Sequence, residues 1–216
     1  MYAGQKMVDD LGVEVLLFPM DCMYITQGEH GSISHVLAMD FVGWSPQTGQ
    51  IKDYPYYAPC SCTCIAKNYS NGQAYVIWQS TGLVHMANNQ INSVCWVVMH
   101  DDNPPYNVGD TISQGDLMGH TGESGFVTGD HMHLNVANGT YQGWQNVGGS
   151  FYELINSMSI YDAMWVNDTT LYNDYGYDWK VFEGGITPEP PTPEAKKKKR
   201  FPWVLYANKL RNQRKI

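Results

Sequence analysis

Gly129-Asp130-His131-Met132-His133-Leu134-Asn135-Val136 ends a glycine-rich approach, Gly119-His120-Thr121-Gly122-Glu123-Ser124-Gly125-Phe126-Val127-Thr128. From His131 to Val136 polar and apolar residues alternate, the period of a strand with one face turned to a core. On a strand His131 and His133 share a face, about 7 Å apart along the backbone. One imidazole can then ligate a metal while the other stays free to move protons. A lone His-x-His is equally the mark of two surface histidines. The glycines in front of it sharpen the reading, because such a loop lets the backbone pass close to something bound.

Outward from this stretch the same alternation dominates from about residue 20 to residue 137, as in Tyr75-Val76-Ile77-Trp78 and Cys95-Trp96-Val97-Val98-Met99. Turn clusters such as Ser70-Asn71-Gly72, Asp102-Asn103-Pro104-Pro105 and Gly122-Glu123-Ser124-Gly125 punctuate it. Short strands with frequent Gly and Asn turns predict a mainly β, antiparallel body. The segment Phe151 to Val166 predicts a peripheral helix, with Leu154, Met158, Tyr161 and Trp165 roughly on one face. An aromatic stretch from Leu171 to Phe182 is expected to cover a sheet edge. Cys60, Cys62 and Cys64 alternate along one expected strand, where parallel side chains cannot readily form disulfides. Three thiols on one face could bind zinc, but the preferred reading is small buried apolar residues.

The 216 residues are 43% hydrophobic and 13% aromatic, ample for a packed core. The formal charge of −8 hides a split: nine of the 13 bases lie after Glu194 and no acid does, leaving residues 1–195 with 21 acids, four bases and a net −17. That argues against nucleic acid as the partner of the body. Gly184-Gly185 opens a proline-rich linker expected over 184–195, and a basic tail follows at 196–216, expected to be disordered or bound to a partner. The domain is expected over 1–183. The N-terminus lacks a basic region followed by an apolar one, so no Sec signal is expected. No window of eighteen uninterrupted apolar residues occurs, so no membrane span is expected either.

Ser34-His35-Val36-Leu37-Ala38-Met39-Asp40-Phe41 sets a histidine and a carboxylate five residues apart around an apolar run. A buried Asp among Ala, Met and Phe needs a partner, and a metal cation shared with a histidine would satisfy it. Two nitrogens and one oxygen on Zn²⁺, with a position left for water, form the ligand set of a hydrolytic zinc site.

The series His35…Asp40, Tyr57-Ala58-Pro59, Val98-Met99-His100, Val108-Gly109-Asp110-Thr111-Ile112-Ser113-Gln114-Gly115-Asp116-Leu117-Met118-Gly119, Thr121-Gly122 and Thr128-Gly129-Asp130-His131-Met132-His133 resembles the lysostaphin-type (LytM-like) zinc endopeptidases of peptidoglycan. The resemblance covers a motif core of roughly 24–137. It implies an antiparallel β-sheet peptidase domain, with one Zn²⁺ held by His35, Asp40 and His133. His131 would be the general base on the attacking water, and His100 would steady that water or the developing oxyanion. The substrate implied is a peptide of peptidoglycan.

Two departures stand out. The common family form is His-x-x-x-Asp, a step of four positions, whereas Asp40 stands five positions after His35. An odd separation sends strand side chains to opposite faces, so His35 must sit in the loop before the strand or a bulge must intervene, with His30 as the rival ligand. An apolar-Glu pair often follows the closing His-x-His, and Leu134-Asn135 stands there instead. The stretch Ile25 to Phe41 and "YYAPCSCTC" look closest to peptidase domains of virion-associated lysins at phage tail tips. That implies a protein of the virion, or of the infected host's cytoplasm, acting on the cell wall. The tail would engage phage tail proteins or anionic wall polymers.

Three rival readings compete with this one. A biotinyl or lipoyl carrier needs a lysine on an exposed turn, and none occurs between Lys67 and Lys180. A catalytically inactive structural or wall-binding module of a phage tail would have lost functional positions, and all five are filled. A nucleic-acid or membrane-surface protein would rest on the basic tail alone. His85 and His120 read as structural or solvent-facing.

Overall fold

The computed structural model describes residues 1–184 apart from 33 and 71. The expected linker, beyond Gly184, and the basic tail therefore lie outside the described residues. A nine-stranded sheet dominates. Its path runs Thr111–Ile112, Cys62–Asn68, Tyr75–Ser80, Val94–Met99, Met132–Asn138, Met39–Phe41, Cys22–Gln27 and Thr170–Asn173, and Ser157–Met158 adds to Met132–Asn138. Neighbours are antiparallel except the last pair, where Thr170–Asn173 lies parallel to Cys22–Gln27 and covers that edge. The mainly β expectation holds, and so does the expectation for the aromatic stretch: Tyr177 and Trp179 pack against the core.

Alternation sorts the two faces. Met132, Leu134 and Val136 point into the main core with Met39, Phe41, Trp78, Trp96 and Val98. Trp78 and Trp96 stand directly opposite each other across neighbouring strands. The other face carries a smaller apolar cluster of Ile77, Cys95, Val97, Ala137 and Leu154. His133 and Asn135 share that second face by the strand's period. All five cysteines are free and buried, Cys60, Cys62 and Cys64 being part of the main core, which is the apolar reading.

The expected helix over 151–166 is largely replaced by strands. Phe151–Leu154 forms a hairpin with Trp144–Gly148, Ser157–Met158 joins the main sheet, and only Ile160–Ala163 is helical. Asn156 takes a left-handed φ of 64°, which breaks any helix at that point. The Leu154 amide is claimed by the Asn135 side chain at 2.8 Å. The surviving turn is capped from afar, its Ile160 amide donating to Glu29 at 2.9 Å. Helical spacing of four apolar residues lost to sheet pairing that local periodicity cannot see.

Candidate metal centre

Asp40 and His133 are directly opposed on the antiparallel strands Met39–Phe41 and Met132–Asn138. A directly opposed pair points its side chains to the same face. His133 Nδ1 comes within 3.0 Å of Asp40 Oδ1. His35 reaches the same oxygen from outside the strand: it sits in the preceding loop, bridged to Ser32, and its Nε2 lies 3.0 Å from Asp40 Oδ1. The odd spacing is accommodated by that loop. All three residues are buried, at 5%, 8% and 8% exposure for His35, Asp40 and His133. His30 is exposed, with a φ of 56°, and is not among the residues brought together.

Two further imidazoles flank the group. His131 Nε2 lies 3.6 Å from Asp40 Oδ1, and the His100 and His131 rings are 4.6 Å apart. His100 follows directly on the Val94–Met99 strand with a φ of 78°, which turns the chain off the sheet. Each ring is tied by Nδ1 to a backbone carbonyl at 2.8 Å, His100 to Ser124 and His131 to Gly129. A carbonyl can only accept, so Nδ1 carries the proton and the neutral ring presents a bare Nε2 lone pair. Burial lowers the pKa of His100 to about 4, in spite of the opposing hydrogen bond to Ser124. His100 is therefore neutral at pH 7. Burial by itself would raise the pKa of Asp40, but the His133 and His35 imidazoles, each within 3.0 Å of its Oδ1, outweigh it and hold the carboxylate well below its usual range.

The donor set fits a cation. His35 Nε2 is buried without a hydrogen-bond partner although it faces Asp40 Oδ1, and its Nδ1 is engaged by the Ser34 hydroxyl at 2.8 Å. Asp40, His35 and His133 offer one oxygen and two nitrogens, all within 4.8 Å of one another. An unbonded buried nitrogen beside a carboxylate is costly unless a positive centre satisfies both. Two imidazole nitrogens and a carboxylate oxygen form a donor set of the kind Zn²⁺ takes. His85 and His120 stand elsewhere: His85 bonds Asp9 at 2.9 Å, and His120 donates its amide to Asp101 at 2.9 Å. No second metal-holding group occurs among the described residues.

Sequence reasoning missed Glu153. Its Oε1 accepts the amides of Val36, Leu37 and Ala38 at 2.8, 2.8 and 3.1 Å, the stretch between His35 and Asp40. No local signal marks it, since it lies more than a hundred residues away in a segment that reads as helix.

The described residues thus define a mainly antiparallel β protein with a buried His–Asp–His group and two imidazoles beside it. No protein-family model matches the sequence. The chain is similar to "Morphogenesis protein 1" of Bacillus phage B103, 44% identical over 173 residues, which are 79% of this chain and 45% of that protein. It spans less than half the length of that relative. Among solved structures it is similar to the catalytic domain of lysostaphin from Staphylococcus simulans, with 16% identity, 66% of this chain and 85% of that one covered, and a TM-score of 0.41. It is also similar to a zinc-containing peptidase from Vibrio cholerae, with 16% identity, 59% and 39% coverage, and a TM-score of 0.41. Lysostaphin-type peptidases, which the sequence motifs resemble, are thus among its structural neighbours.

Proposed function

We propose that this chain is a zinc-dependent endopeptidase that hydrolyses peptide cross-links of bacterial peptidoglycan, as a phage tail-associated lysin used in cell-wall penetration or host lysis. The convergence of His35 Nε2 and His133 Nδ1 on Asp40 Oδ1, with the first nitrogen otherwise unbonded, is the observation that carries it. The motif order in the sequence supports the substrate class. The similarity to a phage morphogenesis protein supports the virion setting. The catalytic unit is proposed to be residues 1–183.

His35, Asp40 and His133 would hold the ion. When bound, Zn²⁺ supplies Lewis acidity towards a carbonyl and lowers the pKa of water. His131 Nε2, its lone pair kept free by the Nδ1–H bond to Gly129, accepts a proton at the edge of the group and can return it to the leaving amine. His100 Nε2 has the same tautomer and stays neutral, so it serves as an acceptor that orients the attacking water beside His131. An oxyanion would need a donor there. Of the two roles first open to His100, orienting water is the one its tautomer fits.

Metal content and wall lysis of the purified full chain test the reading together. About one zinc per chain is expected, lost in Asp40→Ala, and exhaustive chelation should abolish lysis. Lysis that survives chelation refutes the zinc mechanism. Mass spectrometry of muropeptides released from defined walls then identifies the bond cut.

A further inference from the structure

Three consecutive backbone amides pointing at one acceptor is not strand geometry, where successive N–H groups alternate in direction. Val36, Leu37 and Ala38 form a concave set of donors of the kind that takes an anion. The anion is the Glu153 carboxylate, 1% exposed, with Oε1 receiving all three bonds. It forms no ion pair among the described residues, so these amide dipoles are its counter-charge. The strand that carries His133 supports it: Asn135 Oδ1 accepts the Leu154 amide at 2.8 Å and the Ser157 hydroxyl at 3.0 Å. Glu153 Oε2 and Asn135 Nδ2 remain buried and unbonded beside this contact network.

The consequence concerns distance. His35 and Asp40 lie on a loop and a strand, and nothing in regular pairing fixes the first relative to the second. The four intervening residues do, and three of them hang from one oxygen. We propose that Glu153 is a positioning residue that sets the separation of His35 from Asp40, holding the ligand loop in its metal-binding shape before any ion arrives. This rests on the metal-centre reading above. The site is then built from three parts of the chain, the third being the hairpin Trp144–Gly148 and Phe151–Leu154.

Zinc affinity, measured on the full chain by competition with a chromophoric chelator, tests it, together with the visible spectrum of the cobalt-substituted protein. Glu153→Ala should weaken zinc binding by about 10–100-fold and alter the cobalt spectrum, the range seen when groups behind metal ligands are removed. Glu153→Gln keeps a carbonyl oxygen for the three amides and should restore most of the affinity. Equal affinity in wild type and Glu153→Ala, or a loss in Glu153→Gln as large as in Glu153→Ala, overturns the proposal. Should Glu153→Ala not fold, hydrogen exchange on wild type decides. Amides of Val36, Leu37 and Ala38 should stay protected after metal removal, and protection that appears only with zinc overturns the assignment. A wild type that binds no zinc at all would instead sink the metal-centre reading.

Discussion

Gly122 is where the two flanking histidines are welded together, and Gly122→Ala is the perturbation that reads out the weld. Gly122 and His131 exchange backbone hydrogen bonds, at 3.3 Å and 3.1 Å, and Ser124 donates to the His100 carbonyl at 3.1 Å. One short segment thus bonds both histidine-bearing stretches. A Cβ on Gly122 would come within 2.7 Å of the Asp102 amide nitrogen and closer still to the His100 carbonyl oxygen. Both are backbone atoms, so no side chain can swing away. Ordinary contacts need about 3.5 Å, and the two segments must part by roughly 1 Å. Overpacking of this kind costs about 1–3 kcal/mol. For a chain of this size that is about 2–4 °C of Tm per kcal/mol, a fall of about 2–12 °C.

The displacement falls on His100 and His131 rather than on the ligands, so zinc stoichiometry should persist. Hydrolysis should not. A misplacement of about 1 Å at a reacting group can cost about 10²-fold in rate. Thermal unfolding by circular dichroism, metal analysis and turnover of a soluble muropeptide separate the three. Unchanged Tm and turnover would show that the segments are not held as tightly as their hydrogen bonds imply.

Three other predictions follow from the same geometry. His131→Ala should keep zinc and lose about 10²–10⁴-fold in turnover, as removal of a proton-transfer group does, whereas His133→Ala should lose both; the reverse metal contents would exchange their roles. His100 titrates near 4 when folded because of burial, against about 6.5 when unfolded. The unfolded chain takes up that proton first, so its contribution to stability is level above about pH 6.5 and declines as pH falls towards 4; urea denaturation of metal-free wild type and His100→Asn across pH 4–8 should show that slope in the wild type alone. Burial pushes the Cys60 and Cys62 thiols well up, and Cys22, Cys64 and Cys95 are buried and raised too. Native protein should therefore resist Ellman's reagent, and guanidinium should release five reactive thiols.

The residues that the structure gathers at the candidate centre were legible because their signals are local. His131 and His133 share a face by strand period; the strand itself starts at Met132, with His131 bridged to Gly122 just before it, and both imidazoles still face Asp40 Oδ1, at 3.6 and 3.0 Å. The five-residue step from His35 to Asp40 forced a choice between loop and bulge, and the loop is what forms. The apolar setting of Cys60, Cys62 and Cys64 was equally readable. What the sequence hid is everything that depends on a distant partner. Leu154, Met158, Tyr161 and Trp165 have helical spacing, but Asn135 takes the Leu154 amide and Asn156 turns left-handed, so the pattern is overridden. The misread segment is also the one that holds Glu153, so a wrong secondary structure concealed the carboxylate that accepts the Val36, Leu37 and Ala38 amides.

The two sequence departures meet at that same place. An odd spacing lengthens the loop between His35 and Asp40, and a longer loop has more ways to misplace a ligand. Asn135 stands where a carboxylate could have sat on the histidine strand itself. The structure brings both to one contact: Asn135 anchors the neighbouring hairpin, and the hairpin's Glu153 grips the loop. A carboxylate on the histidine strand would move in lockstep with His133 but could not follow the loop. One on a separate hairpin fixes the loop to a third element, so the His35–Asp40 separation depends on the 144–158 segment being folded. On that proposal, ordering the segment and bringing His35 to Asp40 are one event, so a change as remote in sequence as position 153 should reach the His–Asp–His group.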